Sequence, residues 1–411
     1  MNTFLPADIL LPEITAWEKW AVVACDQFTS QPEYWQRVRE FVGEAPSALH
    51  LIYPEAELKQ EPEAHIRAIR AAMADYETRG LFSCCPESFI YVERWLSDGN
   101  LRRGLVGRVD LEQYDFSPQT DAPVRATEKT VVERIPPRVR IREGAPLELP
   151  HVLLLCDDEE DAILGPLSSA SGETLYDFEL MEGGGRIRGT LLSGAQAAAT
   201  VERLEQYEET VRSRYADLTA SPMLYAVGDG NHSLATAKTC YERLKEKLGP
   251  EAAARHPARW ALAELGSLHD RSLRFAPIHR LVTGTDVQKL LASAETELGD
   301  AEGTAIPWFS GDESGVLRLR LAPGQLAVGV LQGFLDRYLA EQSGEIDYIH
   351  GDETLRELAG RPGSLGFLLP EIRKDAFFRG IITDGVLPRK TFSMGQAQDK
   401  RYYIEARRIN G

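Results

Sequence analysis

Ile66, Ile69, Met73 and Tyr76 recur at spacings of three and four among charged residues, the period of a helix with one apolar face. Pro62 suits its first turn and Gly80 the residue past its end, so the pattern predicts a helix between them. Residues 89–92 and 103–109 read as strands, with Asp98-Gly99 between them as a hairpin signal. Residues 114–124, built around Ser117-Pro118-Gln119-Thr120-Asp121, read as a surface connection. A buried strand is expected over 151–156, followed by a polar loop, and a long charged helix over 195–218 with Val201, Leu204, Val211 and Tyr215 as its stripe. An apolar run at 223–227 then meets Gly228-Asp229-Gly230-Asn231-His232 and a helical pattern from Ser233 to about Leu248. Leu317, Leu319 and Leu321 alternate with arginines, and Pro323-Gly324 is read as a turn into a partner strand over 326–331, with helix over 335–340. Residues 364–369 are a further short strand.

Helices and strands mix without a regular βαβ rhythm, so the expected fold class is α+β, with short sheets and one strand–turn–helix unit. The stretch 300–315, rich in Gly, Ser, Asp and Glu, is the best internal boundary. The expected organisation is an N-terminal α+β region over 1–218, the strand–turn–helix unit over 219–300, and a C-terminal α+β region over 301–411 that packs on the motif.

Composition narrows the partners. With 63 Asp+Glu against 46 Lys+Arg the net charge is -17, which argues against nucleic acid and against a polybasic membrane attachment. No apolar run approaches the roughly 18 residues of a membrane helix. No secretory signal is visible, and the five cysteines form no Cys-x-x-Cys pair, so a cytoplasmic protein with free thiols is expected. Adjacent Cys84 and Cys85 are read as reduced. Oligomeric state is not legible. An anionic ligand must find a local positive site within this negative field.

The segment at Asp229 has a physical use for such a ligand. The first turn of a helix leaves backbone N–H groups unpaired and carries partial positive charge. Gly228 and Gly230 let the backbone approach a phosphate or carboxylate. Asn231 and Ser233 could cap the helix, His232 could donate a hydrogen bond or a proton, and Asp229 could hold a magnesium ion or orient His232. An ordinary tight turn explains the same residues equally well. Neither the P-loop ending nor the Rossmann glycine spacing is present.

Other candidates lie apart in sequence. Arg125 with Glu128 could form a phosphate clamp and an acid/base, or a strand-edge ion pair. Arg389 and Lys390 could supply cations, or form a basic surface turn. Asp26 and Asp177 sit among apolar residues, where desolvation would suit base or metal work, or they cap strand ends. The glycine-rich stretch with Arg186 and Arg188 reads as a hairpin loop before an anion cradle. His279-Arg280 could contact an anionic substrate, His269-Asp270 could pair, and His151 and His350 are read as structural. Cys25 is read as packing, because the adjacent Asp26 would raise its pKa.

Gly228 through Ala237 resembles the Asp-Gly-His-His-Arg-x-x-x-Ala signature of the DUF1015 family. Cys25 to Ser30 with Tyr34-Trp35, Arg125 to Glu128, Leu175 to Phe178, Pro277 to Arg280 and Pro388 to Gly395 are similar to that family's other blocks. The motif is also similar to the phosphate-binding turn of the ParB/sulfiredoxin-like superfamily, which includes a free-serine kinase. Asp229, Gly230 and His232 match, while Asn231 replaces a His and Ser233 replaces the Arg, a bidentate phosphate partner. The resemblance implies a nucleotide, ATP or ADP, with Mg2+, whose phosphates sit on the Asp229–Ser233 turn. It implies a phosphotransferase acting on a small phosphorylated or polar metabolite, serine-like; in such a reaction Asp26 or Glu128 would accept the hydroxyl proton and Arg389 and Lys390 would stabilise the developing charge. A nucleotide-sensing module without turnover and a phosphatase or other hydrolase are the alternatives.

Overall fold

A computed structural model of the chain describes residues 2–57, 62–130 and 135–410. The mixed helices and sheets are of the α+β class. The helix Pro62–Thr78 buries Ile66, Ile69, Met73 and Tyr76, and Gly80 follows it at φ +63°. Gly99, at φ +81°, turns the hairpin between Phe82–Trp95 and Leu101–Asp110. These strands outrun their apolar stretches because the polar ends also pair, Arg94 with Arg102 and Trp95 with Leu101.

The chain forms two compact units, Met1–Ala126 with Thr130–Leu273 and Gln396–Gly411, and Thr127–Lys129 with Arg274–Gly395. The limits thus differ from the expected 1–218, 219–300 and 301–411. In the first unit an eleven-stranded sheet runs, along its main path, from Thr174–Glu179 through Arg186–Leu192, Phe82–Trp95, Leu101–Asp110, Trp260–Ser267, Leu153–Cys156 and Tyr225–Asp229 to Val124–Ala126 and Tyr114–Asp115. Phe4–Leu5 and Ala7–Pro12 add to it beside Leu101–Asp110 and Phe82–Trp95. The strand–turn–helix unit is therefore part of this sheet. Tyr114 and Val124, expected on a surface connection, are buried at the sheet's edge in parallel pairing.

The second unit has a six-stranded antiparallel sheet with Phe275–Thr283 at its centre. Here two expectations fail. Of residues 326–331, Leu326 is the N-cap and the rest belong to the helix Ala327–Glu341, because Val328, Leu331 and Leu335 bury one face at helical spacing. The partner of Glu313–Leu319 is Gly299–Ser310, so the expected boundary is a β-hairpin. Polar composition marked its exposed faces, not a linker.

Three buried charges inside the first unit form one cluster. Arg401 Nε lies 2.7 Å from Glu264 Oε2, and its other end 2.5 Å from Glu405 Oε2, all three side chains being buried. Gly104 makes this possible, since a Cβ there would meet Glu264 Oε1 at 2.3 Å. The C-terminal segment carrying Arg401 is held by Arg94, which donates to the carbonyls of Gln398, Asp399 and Lys400 and stacks on the Tyr402 ring at 4.9 Å.

His269 pairs with Asp157 at 2.7 Å, not with its neighbour Asp270. The Asp157 carboxylate also accepts from Tyr215 at 2.6 Å and Arg214 at 2.7 Å. Burial alone would raise its pKa, but these bonds hold it below the usual carboxylate range. Its stabilising contribution is present above the unfolded value of about 3.9 and is lost as pH falls through the lower folded value. Asp157→Asn should therefore cost about 1–3 kcal/mol at neutral pH. The gap to the parent should narrow below about pH 4 in urea titrations; an equal gap at both pH values would refute the assignment.

Candidate functional site

The strand Tyr225–Asp229 is buried between an antiparallel neighbour, Leu153–Cys156, and a parallel one, Val124–Ala126. Its apolar residues Tyr225, Ala226 and Val227 are inaccessible, while Gly228 and Asp229 break register and carry the chain out of the sheet. Gly230 then takes φ +81° and starts the helix Asn231–Leu248. A Cβ at Gly230 would sit 3.0 Å from Val152 Cα, so both conformation and space require glycine. Gly230→Ala should destabilise the protein by about 1–2 kcal/mol and weaken any ligand of the turn. Thermal unfolding with and without ligand checks this.

Gly230, at the N-cap, has no side chain to cap this helix. The Gly230 N–H donates to Asp229 Oδ1 at 2.9 Å, and the Leu234 N–H donates to the Gly230 carbonyl. Asn231 Oδ1 is buried without a hydrogen-bond partner among the described residues. Asp229 Oδ2 lies 3.2 Å from Lys400 Nζ, with both side chains largely buried. Lys400 reaches the turn because Arg94 fixes the backbone on either side of it.

A second group of side chains adjoins Ser233. Its hydroxyl lies 3.4 Å from His151 Nε2, which is 3.7 Å from Asp26 Oδ2. The other ring nitrogen, Nδ1, is 2.7 Å from the Tyr403 hydroxyl, and that hydroxyl accepts from the Cys25 N–H. Short pairing of Val22–Val23 with Tyr402–Tyr403 sets this register. Burial alone would raise the Asp26 carboxyl, but the His151 ring, the Gln27 amide and the Lys400 ammonium outweigh it and hold Asp26 below the usual carboxylate range. Burial and Asp26 push the Cys25 thiol up to about 11, so it is uncharged at neutral pH.

Asp229, Gly228, Gly230, Asn231, His232, Ser233 and Asp26 thus belong to one unit, and Asp26 reaches Ser233 through His151. The carbonyl of His232 accepts from Thr236 at 2.7 Å. Arg125 is corrected to a structural role: its buried guanidinium donates to the carbonyls of Ala122 and Ser221, so it is not open to a phosphate. Asp177 accepts from Arg186 and Arg188, which makes that stretch a braced hairpin. His279 lies 3.0 Å from Asp352 and accepts the Leu369 N–H, so it is buried scaffold. Glu128, Arg389 and Lys390 lie in the second unit, where Glu128 accepts the Thr391 N–H and Lys390 holds φ +54°.

The residues the sequence reading missed are Lys400 and Tyr403, and His151, taken there as structural. Their only signal was a Lys-Arg-Tyr-Tyr run near the end of the sequence and a histidine opening an apolar strand.

The implied groups can be tested against these residues. A phosphate fits the turn in kind: glycine at the N-cap brings no side chain to the first helical turn, and the Lys400 ammonium, shared with Asp229, stands beside it. Both Asp229 oxygens are engaged, by the Gly230 N–H and by Lys400, and among the described residues no group of three or more His, Cys, Asp or Glu side chains is placed to hold an ion, so magnesium here would rest on Asp229 and on the nucleotide's own phosphates. The cation at this turn is Lys400.

The profile of a family described as protein of unknown function (DUF1015) matches residues 11–362. No curated protein matches the chain significantly. Similar solved structures include a conserved hypothetical protein from Pyrococcus furiosus, at 13% identity and TM-score 0.35, over 72% of this chain and 93% of that one. A free serine kinase in complex with AMP is similar at 13% identity and TM-score 0.37, over 72% and 90%. SbnI with C-terminal truncation from Staphylococcus aureus is similar at 10% identity and TM-score 0.36, over 71% and 82%. Among the described residues no helix is long and apolar enough to cross a membrane.

Proposed function

The chain belongs to the DUF1015 family, and we propose that this member binds nucleotide phosphates at the Asp229–Ser233 turn and transfers a phosphoryl group to a small hydroxylated metabolite. The observation that carries the reading is the meeting of an uncapped helix N-terminus, Lys400 and the Asp26–His151–Tyr403 group around one turn. Phosphoryl transfer asks for positioning and charge neutralisation more than for a covalent nucleophile. The helix N-terminus and the Lys400 ammonium supply positive potential without the guanidinium that Ser233 replaces. With Nδ1–H donating to Tyr403, His151 Nε2 is the atom that takes the hydroxyl proton, and Asp26 stabilises the imidazolium. The nucleotide supplies the phosphoryl group and leaves one phosphate shorter; positioning and proton transfer fall to side chains and backbone of the first unit. Ser233 in place of Arg favours the second reading, binding without turnover, and single-turnover kinetics at saturating nucleotide separates the two.

A thermal-shift titration with ADP and ATP tests the binding step. A ligand bound only by the folded state adds about 2.7 kcal/mol at a hundredfold excess over Kd. Midpoints should rise by several degrees, with or without Mg2+, and Lys400→Met should abolish the rise. A shift that persists in Lys400→Met would return the turn to plain structure.

A further inference from the structure

A cavity of about 150 Å3 opens beside His151, Ser233 and Tyr403. Its wall is mainly aliphatic, with Leu51, Met73, Ile141 and Leu147 among the lining side chains. Two guanidiniums reach it, and each already has a carboxylate: Arg138 pairs with Glu55, and Arg142 lies 2.5 Å from Glu148. The Cys25 thiol on the same wall is uncharged. Glu148 also pairs with Arg407, so the charges of the wall are already engaged with one another, and a charged group placed here would lose its hydration and compete with those pairs. An aliphatic cavity of about this size accommodates a single apolar ring. His151, Ser233 and Tyr403 add an imidazole and two hydroxyls to this wall, linked to one another through the His151 ring.

We propose that this cavity binds the uncharged apolar body of a small alcohol, of single-ring or short branched-chain size, with its hydroxyl held at His151, Ser233 and Tyr403. Combined with the phosphate reading, on which its role as phosphoryl acceptor rests, this narrows the metabolite. It is polar at its hydroxyl and apolar elsewhere, unlike a serine-like zwitterion.

The test uses the full chain and benzyl alcohol, followed by ligand-observed NMR and calorimetry, with serine as comparison. Benzyl alcohol should bind and serine should not. Ala237→Phe, which projects a ring from the helix Asn231–Leu248 into the cavity, should weaken benzyl alcohol by about tenfold or more. Ile141→Trp fills the same space from a half-buried position and replaces the first variant if that one fails to fold. The ADP thermal shift should survive in both. Absence of benzyl alcohol binding, equal binding in parent and filled variants, or preferential serine binding lost on filling would each overturn the proposal. Benzyl alcohol binding without any ADP shift in the parent would overturn the phosphate reading and leave this one standing.

Discussion

Replacing Arg401 by Met should destabilise the protein by about 3–5 kcal/mol, the usual cost of leaving buried charges without their partner. Glu264 and Glu405 converge on this one guanidinium, and Tyr176 donates to the far oxygen of Glu405 at 2.5 Å. Burial would lower the guanidinium's pKa, but the two carboxylates raise it, so the charge is firmly held. Methionine matches the stem and removes the fork, leaving two carboxylates facing each other in a space Gly104 keeps open. Combining Arg401→Met with Glu264→Gln and Glu405→Gln should recover most of the loss, because the amides can be satisfied without a cation. Urea unfolding of the single and triple variants is the measurement. A single-variant loss below about 1 kcal/mol would mean that water reaches the cluster.

His151→Gln and Asp26→Asn should each lower turnover by about 10²- to 10⁴-fold, the range for losing a positioned proton acceptor or the group that supports it. Neither side chain is assigned to the phosphates, so the ADP thermal shift should persist in both. Losing shift and turnover together would place these groups in binding instead. Because Asp26 is held below the usual carboxylate range, it stays ionised through neutral and mildly acid pH. An acid limb near neutrality in the parent's rate profile would therefore belong to another group, and it should survive in Asp26→Asn.

Much of the fold was legible because its cues are local. The helix after Pro62, the Asp98-Gly99 hairpin and the strand–turn–helix at Asp229 each carry periodicity and punctuation within a short window. The failures share one cause. Residues 326–331 alternate apolar and small residues, which fits either period until packing chooses helix. Gly299–Ser310 has a polar composition that resembles a linker, and its pairing with Glu313–Leu319 on one side and Ser364–Phe367 on the other reveals the strand. The candidate site divides the same way. Asp229, Gly230 and Ser233 are contiguous and readable, whereas Lys400 meets Asp229, and Tyr403 meets His151, across sequence separations that no motif encodes. Arg125 looked like a free cation because sequence does not show which carbonyls will claim a guanidinium.

The return of Gln396–Gly411 to the first unit sets an order of events during synthesis. Arg401, Lys400 and Tyr403 are made after the whole of the second unit, which at ribosomal rates is a delay on the order of ten seconds. Until then Glu264 lies in a sheet that lacks its counterion, and Val22–Val23 lacks its partner strand. The second unit meanwhile has nearly all of its residues in hand. The nascent first unit thus holds all eleven strands of its large sheet, while Glu264 waits for its cation and the Val22–Val23 edge stays open until the last residues arrive.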